Sequence, residues 1–291
     1  MKIGLQITSF TWPGGAAKIG PTLAEIARTA DSAGFHSLWV MDHFFQIHGV
    51  GKYTEPMLEG YSALNFMAGH TQKVALGSLV SGVSYRTAGF LIKVVTTLDV
   101  LSGGRAWLGI GAGWNEQEST ALGLPFPPLK ERFERLEETL QIARQAWSGD
   151  VSAYHGKHYN LAEPVINPQL VSQPHPRIIV GGGGEQKTLR MAAQYGDACN
   201  LFGSIGDQAL KHKLDVLKRH CDTVGRDYDE IERTTLISTG SKLDAAGLVK
   251  TCRDLAAIGF QHVMLYNVPD IHTIKPLEVI GKQVIPEVAA F

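Results

Sequence analysis

Short apolar runs alternate with longer amphipathic stretches along almost the whole chain. "IGLQIT" (3–8) is followed by "TLAEIARTADSAGF", in which Leu23, Ile26, Ala27 and Ala30 share one helical face. "SLWVMD" (37–42) leads through a loop to "MLEGYSALNFMAGHT". "VALGSLVSGV" (74–83) leads to "GFLIKVVTTLDVLSGG", where Gly103-Gly104 provides a helix stop. "RAWLGIG" (105–111) precedes "KERFERLEETLQIARQAW", the clearest amphipathic helix in the chain. Four further pairs begin at "RIIVG" (177–181), "ACNLF" (198–202), "ERTTLIS" (232–238) and "HVMLYNV" (262–268).

About eight strand–helix pairs result. Several of the strands are apolar throughout, as expected when both faces of a sheet are covered. The pattern predicts an α/β fold, a (β/α)8 TIM barrel forming one domain over residues 1–291. An open doubly wound sheet with a small extra lobe is the other arrangement the rhythm allows. Residues 149–176, rich in turn formers, interrupt the rhythm and read as an insertion with a hairpin around Gly156-Lys157.

Composition changes this picture little. The 291 residues are 44% hydrophobic and 19% charged, which describes a globular protein with a large core. A formal net charge of −1, with no Lys/Arg run, argues against nucleic acid or an acidic membrane as partner. The amino terminus lacks a signal-peptide pattern, and no apolar stretch is long enough to span a bilayer. Cys199, Cys221 and Cys252 fit no metal spacing and read as buried reduced thiols, so a cytoplasmic location is expected.

Candidate chemistry gathers at the predicted strand ends, where barrel active sites are built. Two glycine-rich turns, "GIGAGW" (109–114) and "GGGGEQ" (181–186), invite a dinucleotide-binding reading. Both fail it, because the sixth position holds Trp114 or Gln186 instead of a small residue. Gly182, Gly183 and Gly184 remain either bare amides that bind a phosphate at a helix start or a tight turn. That loop follows the fifth strand, whereas the common barrel phosphate site follows the seventh and eighth. Asp42 and His43 end the second strand, and His43 is either a proton carrier or a rim histidine. Glu55 and Glu59 read as surface charge. Phe10, Trp12, Phe44 and Trp114 are either pocket walls or packing. His155 and His158 lack a carboxylate constellation for zinc, and no G-x-S-x-G elbow is present.

An ordered series of blocks carries a resemblance: "SLWVMDHF", "LGSLVSGVSYR", "LDVLSGGRAWLGIGAGWNEQE", "FPPLKERFERLEETLQIARQAW", "GKHYNL" and "IIVGGGGEQKTLRMAAQYGDACN". Together they resemble the luciferase-like monooxygenase superfamily, most closely its branch that uses the deazaflavin coenzyme F420. The resemblance implies a (β/α)8 barrel with an insertion in mid-chain and a homodimeric assembly. It places the cofactor ring at the C-terminal mouth, against a bulged third strand at about Leu79-Val80, often with a non-prolyl cis peptide. It assigns Ala112, Gly113, Trp114 and Asn115 to the ring and side chain, and Gly181, Gly182, Gly183 and Gly184 to the cofactor phosphate. His43 matches an acid/base position, with Asp42 orienting it or touching the cofactor. The implied activity is hydride transfer between F420 and a small organic substrate. The alternative within the family is a monooxygenase using reduced FMN and oxygen. A binding protein without cofactor is the third reading, and the sequence does not specify a substrate.

Overall fold

In the computed structural model, which describes residues 1–291, eight parallel strands close on themselves. The barrel strands are Lys2–Ile7, Ser37–Val40, Ala75–Ser78, Ala106–Gly111, Arg177–Gly181, Ala198–Phe202, Glu232–Ser238 and His262–Tyr266. Closure comes from the third strand pairing with the fourth, Leu76 opposite Ala106, and from the first pairing with the eighth. An open doubly wound sheet has no such closure, so the barrel expectation holds. The expected strand 74–83 is broken. Ala75–Ser78 stops, Leu79-Val80 bulges with a cis peptide bond between them, and Ser81–Gly82 resumes pairing with the fourth strand.

The interior is filled by matching large side chains to missing ones. Trp39, Gly77 and Trp107 lie level on neighbouring strands, and the two indole rings meet edge to face at 5.5 Å. A Cβ at Gly77 would lie 2.5 Å from the Trp39 ring, so glycine is required there for space. With Leu79, Ile179, Ala198, Leu236 and Met264 these tryptophans make a separate buried cluster. A larger core of 62 buried residues joins the strands to the surrounding helices. Helix Leu129–Trp147, for example, turns Leu136, Leu140, Ala143 and Trp147 inward at spacings of three and four. The stretch expected as a helix from Glu185 begins at Thr188, and the carboxy-terminal stretch breaks into Lys275–Gln283 and Ile285–Val288. The insertion carries the expected hairpin, Tyr154–His155 against Asn160–Leu161. No helix is long and apolar enough to cross a membrane, and all three cysteines are free and buried.

The N-terminal end of the barrel is sealed by polar groups. His262 Nδ1 meets Glu232 at 3.1 Å and its Nε2 meets Ser37 Oγ at 3.0 Å. Lys2 and Arg177 also bind Glu232. His36, Glu232 and His262 converge closely enough to suggest a metal, with donor atoms within 4.8 Å. Both His262 nitrogens are already engaged, however, and two fixed cations face the carboxylate, so the arrangement is an ion-pair network. Burial would raise Glu232, yet His262, Arg177 and Lys2 hold it well below the carboxylate range. Burial depresses His262 despite Glu232, and burial with the nearby His262 and Lys2 brings His36 down to about 4.

A histidine held below its ordinary value of 6.5 is protonated first in the unfolded chain. Its stabilising contribution is complete above that value and is lost as pH falls toward about 4. Calorimetry should therefore show Tm falling across this window, and His36→Gln should flatten the fall. An unchanged slope in the variant would remove His36 as a cause.

Candidate active site

At the opposite, C-terminal end, the loops after strands two, three and four converge on one carboxylate. Asn115 caps helix Glu116–Ala121, its side-chain oxygen accepting the Glu118 N–H at 3.3 Å. Glu118 has the capping-box spacing but turns inward, and it is fully buried. Its Oε2 accepts from the Tyr85 hydroxyl at 2.6 Å and meets His43 Nδ1 at 2.8 Å. Its Oε1 accepts the backbone N–H groups of Phe44 and of Phe45, the latter at 2.8 Å. Burial would raise this carboxyl, but the bonds from His43, Tyr85 and Phe45 together hold it below its usual value. Burial and the Glu118 charge push the Tyr85 hydroxyl far up, so it stays a donor. An ionised carboxylate accepts only, so Nδ1 carries the imidazole proton and Nε2 presents its lone pair. No protein group bonds to Nε2. His43 is nearly buried, with Trp114 packed on its edge at 5.4 Å between ring centres.

Asp42, expected to orient His43 or reach the cofactor, does not orient it. Its carboxylate is buried and bound at both oxygens by Arg86, at 2.7 and 3.0 Å. Neighbouring side chains alternate faces at a strand end, so Asp42 and His43 diverge. Arg86 also binds Glu59, which caps helix Gly60–Ala68, and lies over the Tyr61 ring at 4.9 Å. Burial would lower Arg86, yet the Asp42 and Glu59 carboxylates hold it charged well above its ordinary value. Glu59 is thus a half-exposed member of the Arg86–Asp42 network, more than a free surface charge, while Glu55 accepts from the exposed Thr11.

The four glycines divide by cause. A Cβ at Gly181 would lie 2.7 Å from Val80 Cγ1, so Gly181 makes room for the third-strand bulge. Gly182 has φ 119°, a region closed to other residues. A Cβ at Gly184 would press on Thr188 Oγ1 at 2.8 Å. Only Gly183 has no such reason: a Cβ there would meet nothing nearer than Lys213 Cε at 3.9 Å. The expectation that these amides open a helix is corrected, since Glu185, Gln186 and Lys187 form an intervening turn and the helix starts at Thr188.

Leu79 and Val80 stand at the same mouth, and Gln6 Nε2 donates to the Leu79 carbonyl at 3.0 Å. Ala112 and Gly113 follow the fourth strand, with Arg132 bonded to the Gly113 carbonyl and stacked over Phe126 at 4.2 Å. Trp114 is 60% exposed, while Phe10 is core and Trp12 is buried. Sequence reasoning missed Glu118, Tyr85, Arg86 and Arg132. For Glu118 the only local signal was Asn115-x-x-Glu118 after a strand end, which predicts a cap and not an inward carboxylate.

A closed parallel barrel with a buried, tautomer-fixed histidine at its C-terminal mouth is the plan of a (β/α)8 enzyme. The family model of luciferase-like monooxygenases matches residues 1–257, and the chain belongs to that family. An F420-dependent glucose-6-phosphate dehydrogenase of Kineococcus radiotolerans is 32% identical over 233 residues, 79% of this chain and 67% of the relative. That of Amycolatopsis mediterranei is 27% identical over 256 residues, 87% of this chain and 75% of the relative. Among solved structures, the coenzyme F420-dependent tetrahydromethanopterin reductase of Methanopyrus kandleri superposes with a TM-score of 0.80 at 17% identity, over 99% of each chain. The FMN complex of the oxygenating constituent of 3,6-diketocamphane monooxygenase of Pseudomonas putida superposes at 0.76, also at 17% identity, over 99% of this chain and 98% of that one. The structural likenesses establish the fold.

Glu118→Gln keeps the side-chain shape but gives the His43 ring an amide that either donates or accepts, so the tautomer is no longer fixed. The expected outcome is a fall in kcat of at least about tenfold, with cofactor affinity unchanged. Equal kcat in the two proteins would show that Glu118 only packs.

Proposed function

We propose that the protein is an F420-dependent oxidoreductase that moves a hydride between the deazaflavin and a small organic substrate. The observation that carries this reading is His43, buried at the mouth with Nδ1 held by Glu118 and Nε2 free. The names of the more similar relatives support F420 over FMN, and no feature of this site favours FMN. Deazaflavin, when bound, supplies a two-electron hydride acceptor and donor.

The residues present fit such a group. Gly183 offers bare backbone with open space over it, and the Lys213 ammonium lies beside the loop, bonded to Glu185 at 2.5 Å. A phosphate would be held there by N–H groups and a cation. Leu79-Val80 would support one face of the ring. Ala112, Gly113 and Trp114 would border it, the Gly113 carbonyl being anchored by Arg132. Asn115 would act through its cap on the Glu118 helix. His43 Nε2 takes the hydroxyl proton when an alcohol is oxidised and returns it in the reverse direction. Glu118 stabilises the imidazolium that forms, and Tyr85 and the two backbone amides keep Glu118 ionised. The Arg86–Asp42 pair acts at one remove, fixing the loop that carries His43.

The test is a fluorescence titration of the purified protein with F420 and with FMN, side by side. Tight F420 and weak FMN binding is expected, and the opposite preference would sink the reading. In the same assay Gly183→Leu should weaken F420 by at least about tenfold with little change in Tm; unchanged affinity would remove the phosphate from this loop.

The assembly proposed is a homodimer. Phe66 on helix Gly60–Ala68, with Phe90 and Leu101 on helix Ala88–Ser102, are large apolar side chains left exposed, and they support a covered face there. Light scattering should give twice the chain mass; a single-chain mass at assay concentration would rule the dimer out.

A further inference from the structure

A cavity of about 290 Å³ opens at the C-terminal mouth between the loops after strands one, two and eight. Thr8, Thr11, Trp12, Asn267, Asp270 and His272 are among its walls. Two hydrogen bonds tie its walls to the elements that carry the proposed reaction centre. Gln6, also in its lining, donates to Leu79 O at 3.0 Å, and Gln46 donates to Thr8 O at 3.0 Å from the loop that carries His43.

The chemistry of the lining is one-sided. It holds hydroxyls, two amides, one carboxylate and a histidine, and neither lysine nor arginine. A second carboxylate, Glu55, stands beside it on Thr11 at 3.2 Å. Thr8 donates to the Asn267 side-chain oxygen at 3.0 Å, which leaves the amide N–H groups of Asn267 for a ligand. A phosphate dianion placed there would meet carboxylates in place of a counter-ion. A hydroxylated neutral molecule would find donors and acceptors at ordinary hydrogen-bond strength.

The wall is also built at a cost in backbone energy. Asn267, Asp270 and Ile274 have φ of 52°, 49° and 58°. Asparagine and aspartate tolerate such angles better than most residues, whereas a β-branched one such as Ile274 is strongly disfavoured there. Three in eight residues concentrate at a loop that lines this cavity and nowhere else in the chain.

Resting on the F420 reading above, we infer that this cavity holds the substrate and that the substrate is an uncharged alcohol or its carbonyl partner, not a phosphate ester. This separates the chain from the relatives named for glucose 6-phosphate.

The test uses the F420-loaded protein and matched pairs: glucose with glucose 6-phosphate, and glycerol with glycerol 3-phosphate, alongside simple secondary alcohols and ketones. Turnover is followed through F420 absorbance and binding by calorimetry. The expected result is that uncharged compounds are turned over and that each parent exceeds its ester in kcat/KM by about tenfold or more. An ester favoured over its parent, or no uncharged compound used by a protein that binds F420, overturns the inference. A second arm places a cation in the cavity by combining Asp270→Asn with His272→Lys. Asparagine tolerates the left-handed angle at 270. If that variant still binds F420, its preference should shift toward the esters; an unchanged preference means that charge does not set it, and the inference falls. Failure of the unaltered protein to bind F420 would overturn both readings, whereas F420 binding with ester preference overturns this one alone.

Discussion

The buried carboxylate of Glu118 ties the mouth of this barrel together. It accepts from His43, from the Tyr85 hydroxyl and from two consecutive backbone amides, so loops from three different strands share one anion. Removing a carboxylate from water is unfavourable unless its lone pairs are satisfied, and here four donors satisfy it. The same arrangement fixes which histidine nitrogen holds the proton. Positional order and proton inventory at the mouth therefore have one origin.

The rest of the barrel leaves that end free to be specialised. Its middle is filled by two tryptophans closing over a glycine, and its N-terminal end is sealed by the Glu232 network. Both serve stability far from the mouth. The third-strand bulge is the point where the two demands meet. Val80 leans into space that Gly111 and Gly181 leave empty, so two glycines of the motif-like turns are explained by packing against the bulge. Only Gly183 is left with a bare backbone that nothing in the protein requires.

Much of this was legible from the pattern of residues. Eight apolar runs with intervening amphipathic segments implied the barrel, because strand and helix periods are local properties. The strand-end rule brought His43 and the glycine turns to one face, and the family resemblance added Leu79-Val80. Two readings at the site were corrected for physical reasons. Asp42 is adjacent to His43 in sequence, yet alternation along the strand end sends it to Arg86, 44 residues away. The glycines precede a helix in sequence, but a turn intervenes before the first helical residue, so the dipole argument does not apply to them.

What the sequence by itself determined is the set of elements, their order, the apolar faces that drive them together and the residues near strand ends. These follow from spacing over a few residues. Only the tertiary structure decided that Glu118, 75 residues from His43, is its partner, that Arg86 joins Asp42 to Glu59, and that the cavity under Asn267 and Asp270 lacks a cation. Those pairings depend on how the loops of a closed barrel converge in space, and no local period encodes that convergence.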